Sequence, residues 1–352
     1  RIKDVGNPWL DAGIVGISTL HYSSDPDYWR KWYPADWISE SFPGQFRNWF
    51  YSLLAQSTLM ADGVGPFRNL FGYGSLLAED GREMHKSWGN AIWFDDAAEK
   101  MGADTMRWLY AGSIPEKNLL FGYGTGDETR RRFLIPLWNV YSFLVTYANL
   151  DGWTPAMRSG RASDNPGNAQ LDDWIVERVT ETALEMRRYF DVFDACRATR
   201  AAEAFLDDLS NWYVRRSRRR FWRGTLDTDK LAAYKTLYAV LLDFVKLIAP
   251  VVPFVAEEIY QNLAHGAGVS DNPASVHHCL YPQAAGAALD RALLDKMALA
   301  ITAASLGRAA RGSADVKLRQ PLARARINVG SQSERSALEE LADVLQEEIN
   351  VK

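Results

Sequence analysis

The hydrophobic positions of this chain change period once, near residue 92. Before it they come in short runs among Gly, Pro and aromatic residues. Ile14-Val15-Gly16-Ile17 and Leu70-Phe71-Gly72-Tyr73 read as buried strands or strand ends. Between them, Arg47 to Met60 reads as a helix with Trp49, Phe50, Leu53 and Leu54 on one face. Strand–helix–strand order predicts part of a parallel α/β sheet.

From Asp95 the spacing is helical. Asp95 and Asp104 are expected as N-caps, with Gly102 as the stop between two short helices. A longer helix is predicted near Arg131–Leu150, with Phe133, Leu137, Val140, Phe143 and Leu144 inward. Asp151 to Asn168 is dense in Gly, Pro, Ser and Asp and predicts an internal boundary. Beyond it lie helical stripes: Leu171, Ile175, Val179, Met186 and Phe190; Phe205, Leu209 and Trp212; Tyr234, Leu237, Leu241, Val245 and Ile248. Ile259, Tyr260 and Leu263 follow the Pro250–Pro253 break, and Leu293, Met297 and Ile301 close the series. Such stripes pack as a bundle. Near the end, Arg324 to Val329 alternates like a strand. Ser331 and Glu334 then form a capping box for a helix carrying Leu338, Leu341 and Leu345.

Composition narrows the class. The 352 residues suggest two to three domains, at roughly 150 residues each. With 47% hydrophobic and 24% charged residues, disorder, collagen and coiled coil are excluded as the main class. The net charge of −4 means that a nucleic acid would have to be met by a local basic patch. Cys196 and Cys279 are too few for a disulfide framework or a four-cysteine zinc site, and are expected as reduced thiols. The most apolar stretch, Thr236 to Ala256, is interrupted by Asp243, Lys246, Pro250 and Pro253, so no membrane span is expected. The chain begins at Arg1 without a signal peptide or an initiator Met, and is expected to be a piece of a longer protein.

Three segments can carry chemistry. Gly81 to Asn90 is a Gly-flanked polar loop in which Lys86 could meet phosphate oxygens as a point charge; a solvated turn is the plain alternative. Glu40 to Phe50 combines an acid, Gly44 and a helix start that can offer N–H groups to a ligand. Trp49 there could wall an apolar pocket or belong to the core. Asn211 to Arg223 holds six arginines within nine residues, interleaved with aromatics. Arginines hold phosphates bidentately and aromatics stack on bases. Equally, the segment could be a salt-bridged helix with Asp207 and Asp208 as partners. His21, His265, His277 and His278 lack metal-ligand company, and no metal site is expected.

Together these segments resemble the C-terminal part of the isoleucyl-tRNA synthetase family, a class I aminoacyl-tRNA synthetase family. Met84-His85-Lys86-Ser87 with Gly89-Asn90 resembles the KMSKS signature loop, with Glu83 in place of its first Lys and His85 in place of its first Ser. Glu40 to Phe50 resembles the family's adenylate element, with Gly44 where an Asp is usual and Asn48 where a Gly is usual. Gly102 to Trp108, Asn211 to Trp222, Ala249 to Tyr260, Leu318 to Leu322 and Glu347 to Lys352 are similar to isoleucyl enzymes. The His-x-Gly-His motif and the editing insertion do not occur in these residues.

The resemblance implies a mainly α fold with an α/β portion. A partial Rossmann-type half-sheet (1–92) would precede a helical connection (93–165), an anticodon-binding helix bundle (166–312) and the start of a short C-terminal α/β junction (313–352). It implies an isoleucine–tRNA ligase fragment, inactive by itself. Lys86, Ser87 and His85 would be catalytic, Lys86 and Met84 ATP-binding, and Glu40, Gln45 and Trp49 adenylate-binding. Arg215, Arg216, Arg218, Arg219, Arg220, Trp212 and Trp222 would bind tRNA. ATP with Mg2+, L-isoleucine and tRNA(Ile) would be the partners of a cytoplasmic monomer that holds no metal in this part. A non-catalytic tRNA-binding paralogue, a valine-type synthetase fragment and a purely structural helical domain remain the alternative readings.

Overall fold

The computed structural model describes residues 6–157, 165–266, 272–283 and 288–352. Helix Trp49–Met60 is a run of twelve residues free of Gly and Pro. It buries Phe50 and Leu53 and leaves Leu54 outside. It connects strand β1 (Ile38–Ser41) to strand β2 (Leu70–Tyr73), which pair in parallel with Glu40 opposite Gly72 and Ser41 opposite Tyr73. A second parallel pair joins β3 (Leu76–Ala78) to β4 (Leu119–Phe121), with two short helices in between. A strand–helix–strand order is therefore present around the predicted helix and the predicted strand Leu70–Tyr73, but it opens on Ile38–Ser41, and a second parallel unit that the pattern did not predict follows it.

The first predicted strand is not. Ile14 to Ile17 lies in helical turns, Pro8–Gly13 and Val15–Ser18, and only Ile17 of the four is buried. Gly13 packs on the 49–60 helix so closely that a Cβ there would lie 2.7 Å from Ser52 Cβ. Helices Phe94–Met101 and Ala103–Ala111 start one residue before the expected caps. Asp95 and Asp104 sit inside the first turns, where their charge meets the helix dipole. Gly102 separates the helices at φ +86°, a conformation open to glycine at little cost.

The chain forms two compact units. One holds the described residues up to Arg130 together with Asp191–Arg197. The other, Arg131–Phe190 with Ala198–Lys352, is helical throughout. Its centre is helix Thr228–Ile248, whose Tyr234, Leu237, Leu241, Val245 and Ile248 are all buried, as the stripe required. Helices Ile135–Asp151, Pro166–Phe190, Arg215–Trp222 and Pro253–Ala264 pack against it. Helix Arg291–Ser313 buries Leu294, Met297, Ala300 and Ala304, a stripe shifted from the expected Leu293 and Ile301. Part of the predicted boundary, 158–164, lies outside the described residues.

The C-terminal segment folds back on this last helix. Ser331 accepts a hydrogen bond from the Glu334 N–H and so caps helix Gln332–Glu340. Leu338, Leu341 and Leu345 are buried, as expected. Arg324 to Val329 forms no strand; only Leu322 makes a bridge, to Val351. Among the described residues one helical stretch, Tyr123–Asp151, is long and apolar enough to cross a membrane by length and composition. Its Phe133, Leu137, Val140 and Leu144 are buried within the protein.

Candidate functional site

Ligands of open parallel sheets gather beyond the carboxyl ends of the strands. Glu40 lies at that end of β1 and Tyr73 closes β2. The Tyr73 hydroxyl donates to Glu40 Oε1 at 3.2 Å, and the Ser41 N–H donates to the same oxygen at 2.8 Å. Burial, and secondarily the Glu40 charge, pushes the Tyr73 phenol up, so it stays a donor at neutral pH. Gln45 ends the short helix Phe42–Gln45; its Oε1 is out of water and has no hydrogen-bond partner. A buried acceptor left unmade costs about 1–3 kcal/mol, which a donor on a bound molecule would recover. Nothing lies within 4 Å of the place a Gly44 Cβ would occupy. The Trp49 indole N–H donates to the Ala12 carbonyl at 3.1 Å. Its ring, with Val15, Ile17, Tyr33 and Leu53, lines a small recess of about 60 Å³ whose walls are mostly apolar.

The second constellation is the loop after β3. Asn90 clasps it: its Nδ2 donates to the Glu83 carbonyl at 2.8 Å, and its Oδ1 accepts from the His85 N–H at 2.9 Å. Met84 packs on a core of Ala97, Met101, Met106 and Phe121, which anchors the loop from below. Lys86 to Trp88 form one 3-10 turn, and Gly89 turns the chain at φ +71°. Within this frame His85 Nε2 lies 2.9 Å from Glu83 Oε2 and its ring meets Trp88 edge-on. Lys86 Nζ sits 4.5 Å from the centre of the Trp93 ring. Lys86 and Ser87 are both exposed, a mobile cation beside a hydroxyl. Met84, His85, Lys86 and Ser87 thus share one loop, whereas Glu40, Gln45 and Trp49 follow one another along β1, the short helix and the start of the 49–60 helix without a contact between their side chains among those described. Among the described residues no hydrogen bond, ion pair or ring contact joins one set to the other.

The arginine helix departs from expectation. A π-helical turn, Asp208–Val214, precedes helix Arg215–Trp222, on which Arg220 is buried. Arg220 is 2% exposed and grips both Asp172 oxygens at 2.7 Å. Its Nε lies 3.0 Å from Asp229 Oδ1, an ionic contact without hydrogen-bond alignment. Tyr213 donates to Asp172 as well, at 2.7 Å. Beside this, the buried Lys230 ammonium meets Asp151 Oδ2 at 2.5 Å. Arg215 and Arg216 converge on Glu348 at 2.5 and 2.8 Å, joined by Arg308 at 2.8 Å. Burial alone would raise the Glu348 carboxyl, but the guanidiniums of Arg215 and Arg216 outweigh it and hold it below its usual value. Arg219 pairs with Glu347 at 3.2 Å.

Arg220 and Trp212, assigned to tRNA from the sequence, are therefore interior residues, and Arg215 and Arg216 are engaged within the protein. Arg218, Arg219 and Trp222 remain on the surface. Asp207 and Asp208 are not the partners either: Asp208 binds Arg178 and Asp207 accepts from Asn211. Sequence reasoning missed Tyr73 and Trp93, although the end of a predicted strand and an aromatic seven residues past the loop lysine were visible signals. It also missed Glu348 as a partner, which lies 132 residues from Arg216 and leaves no local trace. Among the described residues no group of three or more His, Cys, Asp or Glu side chains could hold a metal ion.

Residues 1–120 match the family described as tRNA synthetases class I (I, L, M and V), and residues 172–327 match the anticodon-binding domain of tRNA ligase. The whole chain is 41% identical to an isoleucine–tRNA ligase of Dehalococcoides mccartyi, of which it covers 34%. It is 40% identical to that of Clostridium novyi and 37% identical to that of Thermus thermophilus, covering 33% of each. The chain thus spans about a third of the length of these curated relatives. Among solved structures, a Mycobacterium tuberculosis methionyl-tRNA synthetase bound by methionyl-adenylate superposes with TM-score 0.60 at 21% identity, over 78% of this chain and 55% of that one. An Agrobacterium radiobacter LeuRS–tRNA complex superposes with TM-score 0.59 at 16% identity, over 84% of this chain and 34% of that one. At such identities these two show the fold alone.

Proposed function

We propose, from the premise that the chain belongs to the class I tRNA synthetases and within them to the isoleucine–tRNA ligase family, that its protein joins L-isoleucine to tRNA(Ile) at the expense of ATP. The observation that carries this reading is the match of all 352 residues to isoleucine–tRNA ligases, combined with the clasped loop that presents Lys86. In the first step an isoleucine carboxylate oxygen bonds to the α-phosphorus of ATP and pyrophosphate leaves. In the second, a ribose hydroxyl of the tRNA bonds to the carbonyl carbon and AMP leaves.

In this reading Lys86 places its positive charge on the phosphate oxygens as charge shifts toward pyrophosphate, with Ser87 as a hydroxyl donor. Such help accelerates the step only as far as it is stronger in the transition state than on bound ATP. Met84 and Asn90 hold the loop backbone in place, and His85, tied to Glu83, borders it. Glu40, held by Tyr73, accepts from the polar groups of the adenylate, and the Gln45 amide meets them from the following turn. Trp49 lines the side-chain recess. Magnesium would arrive with ATP, bound through the phosphates rather than by a carboxylate cluster of this chain.

The division into 1–92, 93–165, 166–312 and 313–352 belongs to the same proposal, as does a cytoplasmic location beside the tRNA pool. A pocket that differs by one methylene separates isoleucine from valine by only about 150-fold, so such an enzyme needs a second, editing step. The test is amino-acid-dependent exchange of pyrophosphate into ATP by the intact protein. Isoleucine should support exchange and leucine should not; valine should do so at least tenfold less efficiently. Exchange driven equally by leucine, or none at all, overturns the reading.

A further inference from the structure

We propose that the exposed segment Lys317 to Arg326, together with Lys352, is a phosphate-binding platform that takes the RNA backbone in this unit. It rests on the tRNA-ligase reading and relocates part of its tRNA surface. The argument begins with charge already spent. Of the six arginines between Arg215 and Arg223, Arg218 alone is exposed without an ion pair among the described residues, while Arg220 is buried on Asp172, and Arg215 and Arg216 hold Glu348. Arg219 meets Glu347 and Arg223 meets Asp227 and Asp229. A guanidinium already neutralised by a carboxylate releases few counterions when a phosphate approaches.

The C-terminal segment is the reverse case. Lys317, Arg319, Arg324, Arg326 and Lys352 are all exposed, and none of their side chains makes a hydrogen bond or ion pair among the described residues. Five cations thus lie on Lys317 to Arg326 and on Lys352, whose N–H pairs with the Leu322 carbonyl. The backbone of Lys317 to Leu322 and of the stretch Ile349 to Lys352, by contrast, is held firmly. Arg311 is buried and donates to the carbonyls of Lys317, Gln320, Ile349 and Asn350, at 2.8–3.2 Å. The Asn350 side chain donates to the Leu318 carbonyl at 2.9 Å. Leu322 exchanges backbone bonds with Asn350 and Lys352, at 3.1 and 2.9 Å. This arrangement fixes the turn while leaving its cations to solvent. A polyanion therefore meets positive charge with no internal ion pair to break, on a held turn that carries Lys317 and Arg319 and on the irregular stretch after it that carries Arg324 and Arg326. Charge complementarity selects a phosphodiester chain as the occupant in an otherwise acidic protein with net charge −4.

The experiment is a salt series of tRNA(Ile) binding by the intact protein, comparing wild type with R319A/R324A/R326A and with R319K/R324K/R326K. Each lost phosphate contact lowers the slope of log K against log salt by about 0.7–0.9, so the alanine variant should lose about 2. Its affinity at low salt should fall at least tenfold, while the lysine variant, which keeps the charge, stays near wild type. Isoleucine-dependent pyrophosphate exchange, which needs no tRNA, should be unchanged in both and reports that the variants are folded. An unchanged slope in the alanine variant overturns the proposal. So does an equal loss in the lysine variant, which would point to packing rather than charge. Failure of the wild type to bind tRNA would instead overturn the reading on which the platform rests.

Discussion

Arg220 closes on Asp172 through two parallel N–H···O bonds of 2.7 Å, with both side chains withdrawn from water. The most arginine-rich helix of the protein is thus fastened to the bundle by its own guanidinium. Breaking a buried pair from one side leaves an uncompensated charge and typically costs about 3–5 kcal/mol. Arg220→Ala and Asp172→Asn should each destabilise the helical unit by that amount in urea unfolding. Arg220→Met with Asp172→Leu, which removes both charges, should recover much of it. A loss below 1 kcal/mol in both single variants would contradict the interior assignment.

Glu348 gathers Arg215, Arg216 and Arg308 and ties the last helix to the arginine helix. Its carboxyl is depressed below its usual value by those arginines, burial notwithstanding. A depressed carboxylate stabilises above its unfolded pKa, and that stability disappears as pH falls through the folded value. Protection factors of the amides over Gln332–Glu340 and Ala342–Ile349 should therefore be high at neutral pH and fall as the pH drops below about 4.3. Glu348→Gln should show low protection already at pH 7 and little further change in the protection factors on acidification.

Lys86 rests on the face of Trp93, 4.5 Å from its centre. Lys86→Ala in the intact enzyme should reduce kcat of pyrophosphate exchange by about 10²-fold, the scale of one lost electrostatic contact to a transition state. tRNA binding should be unaffected. Trp93→Ala should cost far less, since an exposed cation–π contact contributes about 0.5–1 kcal/mol. Exchange at the wild-type rate in Lys86→Ala would remove Lys86 from the catalytic role.

Gly74 joins β2 to β3 where a Cβ would lie 2.7 Å from the backbone carbonyl of Lys117. Backbone cannot swing aside as a side-chain tip can. Gly74→Ala should therefore destabilise the first unit by about 1–3 kcal/mol, the usual cost of overpacking, read as a lower thermal midpoint. Gly44→Ala, where the same atom meets nothing within 4 Å, is the matched control and should be near neutral.

Long periodic segments were legible from sequence. The stripe Tyr234 to Ile248 is buried as read, Gly102 stops its helix, and Ser331 caps where the capping box placed it. Short apolar runs were not. Ile14 to Ile17 fits a strand or a buried helical turn equally well by pattern, and packing against the 49–60 helix decided for the turn. Arg324 to Val329 alternates properly but has no neighbouring strand, and a strand exists only through its partner's hydrogen bonds.

The proposed site was readable because its residues are neighbours in sequence: Glu40, Gln45 and Trp49 on one strand-to-helix passage, Met84 to Ser87 in one loop. Tyr73 joined them only through the parallel register of β1 and β2. The sequence by itself therefore determined the family and the inward faces of the long central helices, because these depend on spacing along the chain, while it misplaced the strands at Ile14 to Ile17 and Arg324 to Val329 and the faces at Leu54, Leu293 and Ile301. Only the tertiary structure decided which charges are available. Asp172 and Glu348 reach the arginine helix from 48 and 132 residues away, and pairing out of water follows distance in space, whatever the separation in sequence.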